Sequence, residues 1–427
     1  MASLQERRWS GDIVGLSRRD RRPCTYSVYM PDRLHGRQFS LDGDIAAEVT
    51  EAETALARLD ATGNALANSE ALARLLLRAE SVASSRIEGL EVGGRRLLRA
   101  DAAQRLGMEP RDVTAREVLG NIDAMAWAVD SVIPGGDITM EALLETHRRL
   151  LAGTRLEDHG GSVRTVQNWI GGSDYNPCSA SFVPPPPEDV PYLLDDLISF
   201  CNDDSLPALA QAAVAHAQFE TIHPFVDGNG RAGRALIHMV LRHRGLGLRI
   251  LPPVSLILST WAQDYIDGLS GTRYVGPSNS PEAHEGISGW ISLLAEACNR
   301  SVEDARHFED QVRDLQSVWR GRVGRIRRNS AVSLLIEALP AAPVLSTSTA
   351  AELVGRSFQA AGLAIDRLVE AGVLVQVSIG RRNRAFEAHE LVDAFTVFER
   401  RLASPEGDTR ISGPVRRVPR RPARNQV

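Results

Sequence analysis

Residues 223–234 read HPFVDGNGRAGR and combine a titratable base, a carboxylate, three glycines and two arginines. A packed core has no use for that mixture, whereas a phosphate site does. Asp227, Gly228, Asn229 and Gly230 stand where a loop opens a helix, so successive backbone N–H groups face outward toward an anion. Glycine lets the backbone approach a phosphate closely. Arg231 and Arg234, three apart, lie on adjacent turns of one helix face and can clamp further phosphate oxygens. Asp227 offers the hard oxygen that Mg2+ prefers. His223, at the loop entrance, carries an imidazole suited to taking a proton near neutral pH. Singly, these residues have plainer uses. His223 can end a helix or sit in a core, Pro224 can stop a helix, and Phe225 can be an apolar peg under the loop. Those uses do not explain the order Asp, Gly, Asn, Gly, Arg.

Helices must hold this loop. An alanine-rich helical run precedes it over 206–222, and a second helical pattern over 235–242 stops near Gly245. Far upstream, 69–86 places Leu72, Leu75, Leu76, Ala79 and Val82 on one helix face and ends in SSRIEG, residues 84–89. Taken alone, that ending is a charged helix terminus with Gly89 as its cap. Over 160–182 the character changes: Val163, Val166, Trp169 and Ile170 sit among Gly, Ser, Thr and Asn, which is short-strand and turn chemistry. A stiff proline spacer follows at 184–187, then a helix over 190–200. Helices are also expected over 41–62, 114–132, 139–151, part of 251–265 and, as one or two, 286–323.

HPFVDGNGRAGR resembles, at every specified position, the Fic-family signature H-P-F-x-[DE]-G-N-G-R-x-x-R. SSRIEG resembles that family's inhibitory motif [ST]-x-x-x-E-[GN], with Ser84, Glu88 and Gly89 at the specified positions. Residues 160–182 resemble the Fic flap hairpin, which lies over the active site and can pair with a target segment through main-chain bonds. The likeness spans 69–294. It implies a mainly α fold, a Fic helical domain with a small β-hairpin flap. It also implies a protein adenylyltransferase using ATP and Mg2+, in which a target Ser, Thr or Tyr hydroxyl attacks the α-phosphate and pyrophosphate leaves. His223 would then be the catalytic base and Asp227 the metal ligand. Gly228, Asn229, Gly230, Arg231 and Arg234 would bind the nucleotide. Ser84, Glu88 and Gly89 would form a lock, Glu88 pairing with Arg234 and keeping it from the γ-phosphate. Tyr265 resembles a family position near the adenine, though core packing is the stronger reading for it.

The remaining chain sets bounds. With 427 residues, 43% hydrophobic and 24% charged, the sequence suits a globular protein of two or three domains, and a net charge of −5 excludes a global polyanion-binding signature. Four cysteines, Cys24, Cys178, Cys201 and Cys298, lie too far apart for a metal knuckle and read as reduced thiols of a cytoplasmic protein. There is no apolar run long enough for a membrane span, and the N-terminus lacks an apolar signal core. We divide the chain into an N-terminal arm and helical region (1–68), a Fic catalytic domain (69–325) with inhibitory helix 69–90, a C-terminal winged-helix domain (329–402) and a disordered basic tail (403–427). Residues 1–38 read as an irregular arm, either solvated or packed on the catalytic domain, with basic pairs at Arg18–Arg19 and Arg21–Arg22. Within 329–402, helices over 331–339, 346–354 and 357–371 precede strands over 373–378 and 385–388. The candidate recognition helix offers only Arg367 against Asp366 and Glu370, a poor phosphate surface; the hairpin's Arg381, Arg382 and Arg384 suit one better. DNA binding, a protein contact and a homodimer contact all stay open for this module. The tail carries Arg410, Arg416, Arg417, Arg420, Arg421 and Arg424 with no acidic residue after Asp408.

Other functions compete with this one. Relatives with the same loop move UMP or phosphocholine, or remove AMP. A transcriptional regulator acting through the C-terminal module is a reading of another class. A metal hydrolase built on His216, Glu220 and His223, which share a helix face, lacks the H-E-x-x-H pattern.

Overall fold

Alanine and leucine recur at helical spacing through most of the chain, and the computed structural model is accordingly mainly helical. It describes residues 1–11, 21–63, 69–110, 112–379 and 383–402. In chain order the elements are β1 (Ser3–Trp9), β2 (Cys24–Met30), α1 (Gly43–Gly63), α2 (Ser69–Ile87), α3 (Gly94–Arg105), α4 (Val113–Asp130), α5 (Met140–Leu151), α6 (Val190–Cys201), α7 (Ala208–Ile222), α8 (Asn229–His243), α9 (Val254–Thr260), α10 (Ala262–Gly271) and α11 (Pro281–Val323). The C-terminal part adds α12 (Ala331–Ala338), β3 (Val344–Leu345), α13 (Thr347–Val354), α14 (Phe358–Glu370), β4 (Val375–Ile379), β5 (Asn383–Glu387) and α15 (His389–Leu402).

The centre is α7. Every residue from Ala208 to Ile222 is buried, as expected of a helix whose small side chains let neighbours close in on all sides. The following helix, α8, is buried along nearly its whole length. Trp290 of α11 crosses α7 and donates its indole N–H to the Ala213 carbonyl at 2.7 Å. Where one or two helices were expected near the end of this region, α11 is a single helix of 43 residues. Ser280 caps it through the Ala283 N–H, Pro281 takes its first turn, and Gly324 ends it. Its length lets one helix serve two layers. Near its start Trp290 meets α7 and Leu294 is fully buried; near its end Phe308 stacks on Phe398 of α15 at 4.4 Å, and Trp319 donates to Glu390 at 2.6 Å.

Two expectations are corrected in the N-terminal region. The arm is not irregular: β1 and β2 form an antiparallel ladder running from the Ser3–Met30 pair to the Trp9–Cys24 pair. It packs on the flap region, with Trp9 edge-on to Trp169 and the Tyr29 N–H bonded to the Val183 carbonyl. Nor are all four cysteines free. Cys24 and Cys178 are joined, with their Cα atoms 5.9 Å apart, while Cys201 and Cys298 are free and buried. The two partners lie 154 residues apart, and only the docking of the hairpin on the flap brings them together. No helix among the described residues is long and apolar enough to cross a membrane.

In the C-terminal part, α12, α13 and α14 pack on one another, and the strands form a sheet of order β3-β5-β4 whose β3 and β4 meet α3. This part is anchored to the helix that carries SSRIEG. Arg78 of α2, almost fully buried, donates to the Ala341 carbonyl at 2.8 Å and to Asp101 of α3 at 2.6 Å. Arg95 and Arg99 of α3 both reach the buried Glu387 of β5. On α14, Phe358 and Leu363 are 63% and 72% exposed, and Arg367 is turned inward to the Val323 and Arg325 carbonyls. That outward face is apolar and acidic, the reverse of a phosphate-binding surface. Arg384 is exposed and bonded to Gln376. Arg381, Arg382, Arg18, Arg19 and the tail arginines lie outside the described residues.

Candidate active site

The site begins where α7 stops. His223 adopts a left-handed conformation, φ 49° and ψ 61°, which costs a non-glycine residue roughly 1–2 kcal/mol. Three contacts hold it there. Its N–H bonds the Phe219 carbonyl at 2.9 Å, and its own carbonyl accepts from Arg164 Nε at 2.8 Å and Asn168 Nδ2 at 3.2 Å. Pro224 cannot continue the helix, so the chain turns. Phe225 is fully buried, and Asn229 closes the loop back onto it. The Phe225 N–H donates to Asn229 Oδ1 and Asn229 Nδ2 donates to the Phe225 carbonyl, both at 2.8 Å. Gly228 has φ 78°, and a Cβ there would lie 2.7 Å from Leu150 Cδ2, so both conformation and space call for glycine.

From Asn229 the chain is α8, whose first turn leaves its N–H groups free to face an anion. An anion is in fact there. The Glu88 carboxylate, at the end of α2, lies over the first turn, so close that a Cβ on Gly230 would collide with Glu88 Oε1. Arg234 is 1% exposed and all three of its guanidinium nitrogens are engaged. Nε meets Ser84 Oγ at 2.9 Å and Nη2 meets both the Ser84 carbonyl at 2.7 Å and Glu88 Oε1 at 2.8 Å. Nη1 meets the Tyr265 hydroxyl at 3.3 Å. Burial pushes the Glu88 carboxyl up, but Arg234, Arg231 and His223 outweigh it and hold the group below its ordinary value. Gly89, φ 80°, turns the chain away. Arg231 is almost buried, 3.6 Å from the half-exposed carboxylate of Asp227.

The structure therefore brings Ser84, Glu88, His223, Asp227, Gly228, Asn229, Gly230, Arg231 and Arg234 around one loop. Asp227 suits Mg2+: it is a hard, solvent-facing oxygen donor beside a crown of N–H groups, and Mg2+ commonly takes one or two carboxylates and completes its shell with phosphate and water. Among the described residues no cluster of three or more His, Cys, Asp or Glu could hold a metal ion by itself. The hydrolase triad is correspondingly poor. His216 is fully buried and bonded to the Tyr265 hydroxyl at 2.9 Å, and Glu220 Oε2 stands 3.9 Å from His223 Nδ1. Tyr265 is a buried core residue that also touches Arg234.

Sequence reasoning missed three residues. Arg164, 2% exposed, grips the carbonyls of His223, Val166, Pro185 and Ile222 and ties the flap to the loop. Asn168 bonds the His223 and Phe225 carbonyls. His147 of α5 stacks on Phe225 with ring centres 3.7 Å apart. A lone arginine inside a Gly/Ser stretch was the one available signal for Arg164. Nothing in the spacing marked the other two. The flap itself is held by bridges Ile170–Phe182 and Ser173–Asn176 rather than by long strands, and it exposes Val166, Ile170 and Tyr175.

Burial pushes His147, His216 and His223 down to about 4, about 3 and about 4, from an ordinary 6.5. It pushes Glu220 up to about 7. As pH falls below 6.5 the unfolded chain takes up protons at these three histidines and the folded chain does not, so acid favours unfolding. Glu220 acts oppositely, since its folded form holds a proton that the unfolded form releases above 4.5. The histidines outnumber it, so the melting temperature should fall as pH drops from 6.5 toward 4. Calorimetry showing a flat or rising melting temperature over that window would contradict this account.

Comparison with known proteins adds the following. Residues 137–241 match the Fic/DOC family model, and residues 46–130 match the model of the Fic/DOC family N-terminal region. The protein adenylyltransferase fic-1 of Caenorhabditis briggsae is 35% identical over 132 residues, 30% of this chain and 23% of the relative. The protein adenylyltransferase Fic of Drosophila grimshawi is 35% identical over 139 residues, 32% of this chain and 27% of the relative. The chain thus spans about a quarter of the length of these curated relatives. A crystal structure of a Fic family protein from Desulfovibrio desulfuricans superposes with TM-score 0.51 at 20% identity, covering 82% of this chain and 97% of that one, a likeness of fold.

Proposed function

We propose that this chain, which carries a Fic/DOC domain with the family's N-terminal region ahead of it, is a protein adenylyltransferase restrained by its own Glu88. It would move AMP from ATP to a Ser, Thr or Tyr hydroxyl of a target protein. The observation that carries this reading is the start of α8. There a glycine turn, free N–H groups, Arg231 and Arg234 converge, and a carboxylate already lies where phosphate would.

In this reading Gly228, Asn229 and Gly230 present backbone N–H groups to the ATP phosphates. Arg231 and Arg234 face the charge that gathers on the departing pyrophosphate. Asp227 would hold Mg2+, which when bound supplies positive charge against the phosphates. His223 takes the proton of the target hydroxyl as its oxygen bonds to the α-phosphorus. The bond from that phosphorus to the bridging oxygen of pyrophosphate breaks. Arg164 and Asn168 hold the His223 carbonyl and so fix the backbone that carries the base. Glu88 occupies Nη2 of Arg234, which leaves the arginine unavailable to a γ-phosphate until the end of α2 moves. Residues 69–325 then form the catalytic unit, and 329–402 form a winged-helix module.

The test is incubation of a Glu88→Gly variant with each α-labelled nucleoside triphosphate in cell lysate, followed by mass spectrometry of modified peptides. AMP on a hydroxyl side chain, from ATP alone, is expected. Label from another triphosphate, or net loss of AMP from proteins, would replace this reading. The Cys24–Cys178 bond implies a compartment in which it can form and persist. Alkylation in denaturant at the moment of cell lysis, read by intact mass, should find two labelled cysteines, Cys201 and Cys298; four would place the protein in a reducing compartment such as the cytoplasm.

A further inference from the structure

We propose that His147 is a positioning residue for the phosphate loop, setting the orientation of the Asp227–Gly228 peptide and through it the affinity of the site for a metal-bound nucleoside triphosphate. The inference rests on the function proposed above.

His147 lies on α5, far from the HPFVDGNGRAGR stretch in sequence, and is fully buried. Its ring is parallel to that of Phe225, 3° between planes. Both ring nitrogens are used. The Gly161 N–H points at Nδ1 at 3.0 Å, and an amide N–H can only donate, so Nδ1 is the unprotonated nitrogen. Nε2 therefore carries the hydrogen and donates it to the Asp227 carbonyl at 3.0 Å. One tautomer satisfies both bonds, and the reverse tautomer breaks both.

The consequence follows from the planar trans peptide. In such a unit C=O and N–H point in opposite directions. With the Asp227 carbonyl turned to His147, the Gly228 N–H of the same peptide points the opposite way, away from the imidazole. If the peptide flipped, an oxygen would face the phosphates in place of a donor. Glycine at 228 would allow that flip, because it tolerates either sign of φ. The left-handed turn at Gly228 thus needs an outside anchor, and His147 is the side chain bonded to it. Because Gly161 opens the flap, the same imidazole also ties the loop to the flap's first residues.

The test uses the full-length Glu88→Gly protein as parent and calorimetric binding of ATP with Mg2+. His147→Phe keeps a flat ring on Phe225 and removes both hydrogen bonds; its dissociation constant should rise about tenfold, the worth of one buried hydrogen bond. His147→Gln restores a donor toward Asp227 and should stay within about threefold of the parent. A merely structural histidine predicts instead that both variants lose melting temperature and bind ATP as the parent does, and that result overturns the inference. If the parent itself ignores ATP, the functional reading fails and this inference falls with it. If His147→Phe does not fold, the imidazole ¹⁵N spectrum of the parent decides. A His147 Nε2–H signal that moves on adding ATP and Mg2+ supports the proposal, and an unmoved one overturns it.

Discussion

Glu88→Gly is expected to raise self-labelling from α-³²P-ATP by about 10- to 1000-fold, because a restrained minor state is typically 0.1–10% populated and the substitution removes what restrains it. The physical basis is competition at one guanidinium. Arg234 has its Nη2 on Glu88 and its Nε and Nη2 on Ser84. Removing the carboxylate frees the first turn of α8 as well, since Glu88 is the anion lying over Gly230. Arg234 keeps its bonds to Ser84 and Tyr265, so the buried cation is not orphaned and the fold should survive. A Glu88→Gln variant should fall between the two, retaining bulk and a weaker acceptor while losing charge. Equal labelling by wild type and Glu88→Gly, with both proteins folded, would rule the lock out.

The second large effect is at His223. In the Glu88→Gly background, His223→Ala should reduce labelling by about 10²- to 10⁴-fold, the range a positioned general base supplies. Nucleotide affinity should hardly change, because in the proposed site the phosphate contacts would come from α8 and its arginines and not from the imidazole. The separation is the informative part: a fall in rate with an unchanged dissociation constant marks a group acting on the proton. A parallel loss of binding would instead mean that alanine had let the left-handed turn at 223 relax. His223 is held neutral by burial, which pushes it down to about 4, so the acid limb of the rate profile should lie well below the 6.5 of an ordinary imidazole.

Local features were legible in the chain. The helix–loop–helix around residues 223–234 follows from an alanine-rich run, a proline after His223, a glycine turn and a resumed helical pattern, all within neighbouring residues. The helix starts near 139, 331, 346 and 357 are likewise local, each capped by a hydroxyl accepting an N–H three residues on, whereas α11 starts at Pro281, ahead of the expected 286. Distant pairings were not legible from spacing. Glu88 and Arg234, 146 residues apart, were linked in advance only through the family motif. The Cys24–Cys178 bond contradicted the sequence reading outright, because nothing in the spacing of four scattered cysteines shows that a hairpin will lie across a flap.

What the sequence alone determined is the chemistry on offer: a base, a hard oxygen, a glycine turn and two guanidinium groups, placed in one short loop by covalent connection. What only the tertiary structure decided is how that loop is held, by His147 beneath it, by Arg164 and Asn168 on the flap side, and by Glu88 above it. The reason is that residues within one turn of chain are positioned by bond geometry, whereas residues on separate helices meet only after those helices bury their faces against α7.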